Sequence, residues 1–185
     1  NINSSLSEVS WGTLAPQLYQ EGIPVIKDIN ETTASISVEY QITSQNSDGD
    51  TELYDVKEFY RMRYLDTRIY LLDFQRSANQ VFDGKLPVYS DDGIILGVRD
   101  KNVEYMMNDS ATVLAFVQEG DLWSYSPGNG KVNQVFSFRK TEDGDFRDSR
   151  IQHDIKIVRV TDAGDIDFVL YGYMNRGSHE GYEGI

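Results

Sequence analysis

The chain alternates. From residue 32 onward, apolar and polar positions trade places over short runs separated by Gly, Asp, Asn and Pro, the pattern of half-buried strands between turns. ASISVEYQI (34–42) sets Ile36, Val38, Tyr40 and Ile42 on one face. YDVKEFYRMRYL (54–65) and RIYLLDF (68–74) follow, joined by a two-residue turn at Asp66 and Thr67. Then come QVF, the turn DGK and the mixed stretch PVYSDDGIILGVRDKNVEYMM. TVLAFVQ (112–118) and DLWSYS (121–126) flank Glu119 and Gly120, a hairpin signal. PGNGK leads into VNQVFSF (132–138). DIKIVRV (154–160), a turn at TDAG and DIDFVLYGYM (165–174) close the series. Residues 1–30 lack the alternation. There Leu14, Leu18 and Tyr19 are expected to line one short helical turn that ends at Gly22, and no long helix is expected after residue 30.

The chain also echoes itself. NQVF occurs at 79–82 and again at 133–136, a shift of 54, and Ile69-Tyr70 falls on Leu122-Trp123 at a shift of 53. VEYMMNDSATVLAFV (103–117) overlays KIVRVTDAGDIDFVL (156–170) at a shift of 53, with Asn108-Asp109 on Thr161-Asp162. This divides the chain into a lead-in, 1–32, and a β-repeat domain, 33–185. Its units run over about 33–84, 85–138 and 139–185, the last truncated. Each unit is a meander of up to four short strands, which must stack on neighbours to bury both faces.

Four-stranded units at this period are the signature of propeller blades. The stretch LAFVQEGDLWSYSPGNGKVNQVFSF resembles a TolB-type or WD-like blade, and the resemblance covers roughly residues 34–185. No Trp-Asp dipeptide is present, so the blade family stays open. The resemblance implies an all-β fold of repeated four-stranded antiparallel meanders in an incomplete ring, with further blades in a longer parent. A β-sandwich is the alternative; it explains the strands but not the echo.

Charge and composition then narrow the function. The formal charge is −13, and no run of Lys and Arg exceeds two residues, so nucleic acid is not an expected partner. The absence of cysteine excludes thiol catalysis, disulfides, zinc–thiolate sites and iron–sulfur clusters. No stretch reaches the ~18 apolar residues that span a bilayer, so no direct membrane insertion is expected of this segment. The acidic, Cys-free, Tyr/Asn/Gly-rich composition fits an exported protein of Gram-positive bacteria, at the cell surface or secreted. The chain starts at Asn1 and stops at Ile185 after a Gly-rich loop, so both ends are expected to be cut from a longer parent, with any signal or membrane anchor outside this segment.

The chemistry on offer is sparse. The terminal YGYMNRGSHEGYEGI reads as an enlarged loop between the second and third strands of a blade. Loops on a rigid scaffold carry binding residues, so Tyr171, Tyr173, Asn175, Arg176, His179 and Glu180 are the ligand-binding candidates. The competing reading is a Gly-rich connection whose Tyr and Arg pack on a neighbour. His179 and Glu180 are adjacent and point apart on a strand, a poor metal pair. His153, the other histidine, has Ser149 nearby but no G-x-S-x-G elbow, and is expected at a strand entrance, bonded to backbone. Among the acidic loops, Asn46, Asp48, Asp50 and Glu52 offer oxygens of the kind calcium takes. Thr51 stands where an EF-type loop has its sixth-position Gly, and turn chemistry is the simpler account. No catalytic residue and no cofactor is assigned. The expectation is a non-catalytic binding or scaffolding domain that presents loops 171–185 and 44–52 to a protein or a cell-wall polysaccharide. The alternative is a propeller segment of a peptidase or glycosidase whose catalytic residues lie mostly outside this chain.

Overall fold

The computed structural model describes residues 10–12, 14–86, 88–90, 93–96, 102–139 and 144–185. The described residues are all-β: antiparallel sheets, one 3-10 turn and no α-helix. Contacts divide the chain into two compact units, Asn1–Val81 and Phe82–Ile185.

The first unit is built on three long strands, β3 (Thr33–Gln45), β4 (Thr51–Leu65) and β5 (Arg68–Gln80), in a simple meander. Their lengths follow from alternation that continues without Gly or Pro. Two short strands, β1 (Gln17–Gln20) and β2 (Val25–Ile29), line the other edge of β3. Leu18 and Tyr19, expected in a helical turn, are therefore extended. The open edge of β3 supplies backbone partners, with Leu18 opposite Ile42. Gly22 lets the connection press on β3, since a Cβ there would run into the Glu39 carbonyl. The lead-in is thus hydrogen-bonded into the first unit. The turn between β4 and β5 falls at Asp66 and Thr67, with Asp66 at φ 55°, a conformation Asp tolerates.

Register sorts the two faces. Rows Ile26–Ile36–Tyr60–Phe74 and Ile29–Ala34–Met62–Leu71 cross β2, β3, β4 and β5, and Leu18–Ile42–Tyr54 crosses at the far end. This face is apolar, with Ile42 and Val56 at its buried centre. The opposite face carries Ser35, Ser37, Gln41, Arg61 and Arg63.

In the second unit, β6 (Tyr89–Ser90) pairs β7 (Gly93–Ile94). A four-stranded meander follows: β8 (Tyr105–Met107), β9 (Leu114–Gln118), β10 (Asp121–Ser126) and β11 (Lys131–Phe136). The β9–β10 turn is the expected hairpin, with Glu119 and Gly120 both at positive φ, 46° and 77°. After the 3-10 turn Phe146–Ser149 come β12 (His153–Val160), β13 (Ile166–Tyr173) and β14 (Glu183–Gly184). The central strands of this sheet, β9 and β10, are buried on both faces, which is why LAFV is continuously apolar. Phe116 and Trp123 pack with Phe82 on one side. Ala115 and Leu122 pack with Ile155, Ile157 and Val160 of the β12–β13 sheet on the other.

The sequence echo meets this architecture in two ways. The 53-residue echo of 103–117 in 156–170 corresponds to two hairpins of like build, and bonds join them at separations of 52 to 54: Ser110 and Asn108 to Asp162, Lys156 to Glu104. The NQVF echo has no such counterpart. Residues 68–80 run as one strand, whereas 121–136 form a hairpin, because β4 supplies a partner along the whole of β5.

Candidate functional site

The terminal loop is held from below by polar groups that no local pattern announces. Asn175 is buried, and its Nδ2 donates to the carbonyls of Arg147 (2.7 Å) and Arg150 (2.8 Å). The Arg176 guanidinium donates to Asp148 Oδ1 and to Asp145 Oδ1 (3.0 Å), with its side chain and that of Asp148 almost wholly buried. Arg147 grips Asp145 through Nε and Nη2 and reaches Glu180 at 2.6 Å. The Arg147 hydrogen bond, with its backbone N–H and the charge of Arg176, holds the Asp145 carboxyl well below the usual carboxylate range. Charges alternate further inward. Arg139 donates to Asp121 (3.2 Å) and to the carbonyls of Glu119 and Asp148.

The six candidate residues therefore divide. Asn175, Arg176 and Glu180 latch the loop to residues 145–150. Tyr171 and Tyr173 stand on β13, partly exposed, and Tyr173 pairs Glu183 of β14. The His179 side chain is exposed and makes no hydrogen bond or ion pair among the described residues.

His153 opens β12, as expected of a strand entrance. Its Nε2 donates to the Gly120 carbonyl at 2.8 Å, and its Nδ1 is buried without a partner among the described residues. Burial pushes its pKa below the ordinary value, and the nearby Arg139 charge adds to this. Ser149 donates its hydroxyl to the Phe146 carbonyl, so the two do not form a relay.

In the 46–52 loop, Asn46 Oδ1 accepts from the backbone N–H groups of Asp48 and Asp50, and Glu52 accepts from the Tyr54 hydroxyl. The side chain expected to face calcium thus closes the turn. Among the described residues, no three His, Cys, Asp or Glu side chains converge as a metal site requires. The acidic residues 91, 92, 142 and 143 of the SDDG and TEDGDFRD loops lie outside the described residues. A cleft of about 400 Å³ in the second unit is lined by Met106, Met107, Asp109, Arg159 and Asp162. Asp162 is engaged there by Ser110 and Asn108.

Two features of the first unit escaped the sequence reading. Glu58 lies buried on the apolar face and accepts from Arg76 Nε (2.6 Å), the Tyr40 hydroxyl (2.9 Å) and the Tyr60 hydroxyl. Trp11 covers Arg76, 4.2 Å from guanidinium to ring. Burial and the bond to Glu58 raise both tyrosines, Tyr60 to about 12, so each stays a hydrogen-bond donor and neither is prepared as a nucleophile. The signal was a charged residue at an inward position of an alternating strand.

The second feature is the sheet end near the β4–β5 turn. There the apolar face is uncovered: Ile26, Ile29, Tyr64, Ile69 and Leu71 are each more than half exposed. Arg61, Arg63 and Arg68 are exposed at the same end on the opposite face, and make no ion pair among the described residues. Comparison with family models, with curated proteins and with solved structures found no match to this chain.

Proposed function

We propose that the chain is a non-catalytic binding or scaffolding β domain, and that its contact surface is the uncovered end of the first unit's sheet. One observation carries this. The row Ile29–Ala34–Met62–Leu71, with Ile26, Tyr64 and Ile69 around it, is a contiguous apolar face whose outer members are more than half exposed. Exposed apolar patches of this kind mark interaction sites. The patch is mainly aliphatic, with Tyr64 as its one exposed aromatic ring, which suits a protein surface.

Supporting points concern setting rather than chemistry. The hairpins joined at separations of 52 to 54 residues favour stacked, propeller-like units as a rigid mount in the second unit. The acidic, Cys-free, Tyr/Asn/Gly-rich composition, taken together, fits a place outside the cytoplasm. The polar clusters are internally paired, which favours binding over catalysis.

The test is a photo-crosslinking residue placed at Ile69 or Leu71 in the intact chain, in cells, with exposed Ala163 as control. The expected result is a discrete polypeptide adduct from 69 and 71 that is absent from 163. Adducts to polysaccharide alone, or none above the control, overturn the reading.

A further inference from the structure

The pattern N-x-S/T, with x not proline, is the acceptor signal for a glycan on an asparagine nitrogen. The chain holds it at Asn3-Ser4-Ser5, Asn30-Glu31-Thr32 and Asn108-Asp109-Ser110. So short a pattern recurs by chance. What separates one instance from another is how the fold treats its two reacting groups, the amide Nδ2 and the hydroxyl two residues on. Asn3 lies outside the described residues.

At Asn108 both groups are engaged. The residue is buried, and its Nδ2 donates to Ser110 Oγ (3.0 Å), Thr112 Oγ1 (2.8 Å) and Asp162 Oδ1 (3.0 Å). The Ser110 hydroxyl donates to the same Asp162 oxygen. A sugar on this Nδ2 would break the tie between the two hairpins.

Asn30 is the reverse case. It opens the turn from β2 into β3, and Asn30, Glu31 and Thr32 are all exposed. Its Oδ1 accepts from the backbone N–H groups of Thr32 (3.2 Å) and Thr33 (3.0 Å). Its own N–H donates to the Thr33 carbonyl, and the Thr32 carbonyl accepts from the Tyr64 N–H. The amide oxygen and the main chain thus fix the turn. The Nδ2 and the Thr32 hydroxyl make no hydrogen bond among the described residues. An attached sugar replaces one Nδ2 hydrogen and leaves Oδ1, the atom that holds the turn, unchanged. A transferase that also reads a carboxylate two positions ahead of the asparagine meets Asp28 here, whereas Asn1 and Met106 stand at that place in the other two.

We propose that Asn30 is an N-glycosylation site. Its Nδ2 attacks the anomeric carbon of an oligosaccharide carried on a polyisoprenyl diphosphate. The C–N bond forms, the bond from that carbon to the diphosphate oxygen breaks, and the Nδ2 proton passes to a base of the transferase as the polyisoprenyl diphosphate leaves. The glycan would stand beside Ile29 and near Tyr64, at the rim of the uncovered apolar face, where its polar bulk shields side chains otherwise open to water. The site rests on export of the chain, as in the reading above, and on nothing else in that reading.

The test begins with the chain recovered after export from the cells that make it. Cleavage after lysine releases residues 28–57 as one peptide, with Asn30 its single acceptor pattern. Mass spectrometry with fragmentation is expected to place an oligosaccharide on Asn30 and none on Asn108. Thr32→Val, which leaves Asn30 and the hydrogen bonds of the turn in place, is expected to abolish the glycan with the circular dichroism spectrum kept, and Thr32→Ser to retain it. A glycan on Asn108, or one that persists on Asn30 in Thr32→Val, overturns the proposal. A chain that is exported with peptide 28–57 wholly unmodified overturns this inference alone. A chain that is not exported overturns the extracytoplasmic setting with it.

Discussion

Asn108 Nδ2 donates to Asp162 Oδ1 at 3.0 Å across 54 residues of chain. The same carboxylate oxygen accepts from the Ser110 hydroxyl and backbone N–H, while Asn108 Oδ1 caps the N–H groups of Thr112 and Val113. Two hairpin turns are thereby tied side by side. The Ser110 and Asn108 bonds hold the Asp162 carboxyl below its usual value. A depressed folded pKa stabilises the fold above the unfolded value of 3.8, and that contribution is lost as pH falls through the folded pKa. Asp162→Ala is expected to lower Tm at neutral pH, with the difference from wild type shrinking in acid. An unchanged Tm at neutral pH would show that the tie contributes nothing.

His153 titrates with the opposite outcome for its charged form. Its folded pKa lies below the ordinary 6.5, because burial and the nearby Arg139 charge favour the neutral ring and outweigh the bond to the Gly120 carbonyl, which favours the charged one. The unfolded chain takes up the proton first, so stability is full above about pH 6.5 and declines below it, until the folded ring itself protonates. Denaturant titrations at several pH values are expected to show this decline in wild type. His153→Gln is expected to be less stable at neutral pH but to lack that part of the pH dependence. Parallel curves for the two proteins would count against the assignment.

Gly120 is required by space and by conformation. It sits at φ 77°, and a Cβ there would lie 2.6 Å from Ile151 Cγ2 and 3.2 Å from His153 Nε2. Gly120→Ala is expected to destabilise by at least the roughly 1–2 kcal/mol of a left-handed non-glycine residue, with further loss from displacing His153. Gly128→Ala is the control, since a Cβ there meets nothing within 4 Å.

Arg176 separates a latch from a ligand site. Removing one partner of a buried ion pair costs about 3–5 kcal/mol, and Arg176 with Asp148 is such a pair. Arg176→Ala is expected to approach that loss in chemical denaturation, whereas His179→Ala, with no side-chain partner among the described residues, leaves stability unchanged. If Arg176→Ala is as stable as wild type, the guanidinium is free for other work.

Glu58 gathers three donors where the surrounding face is apolar. Glu58→Leu removes an acceptor that two tyrosine hydroxyls and a guanidinium share, and hydrogen bonds to charged groups are worth about 1.5–3 kcal/mol each. Its loss of stability is expected to exceed that of the more conservative Glu58→Gln, measured as the denaturation midpoint at constant slope. Equal losses would mean that the shape of the side chain matters and its acceptors do not.

The sequence by itself determined the strands and most of the turns, because alternation and turn residues act over a few positions. ASISVEYQI, the Asp66 turn and the Glu119-Gly120 hairpin required nothing beyond local sterics and the burial of one face. Pairing acts over longer range, and there the tertiary structure decided. Leu18 and Tyr19 became a strand because β3 offered an edge. Residues 68–80 became one strand, not an echo of a hairpin, because β4 ran alongside for their whole length. That Arg176 of the terminal loop is paired could not be read locally, because its partners, Asp145 and Asp148, lie 31 and 28 residues away. Local patterns carry the propensity of a residue to be polar. Whether that polarity turns toward solvent or is neutralised within the fold depends on which distant charge the chain brings beside it.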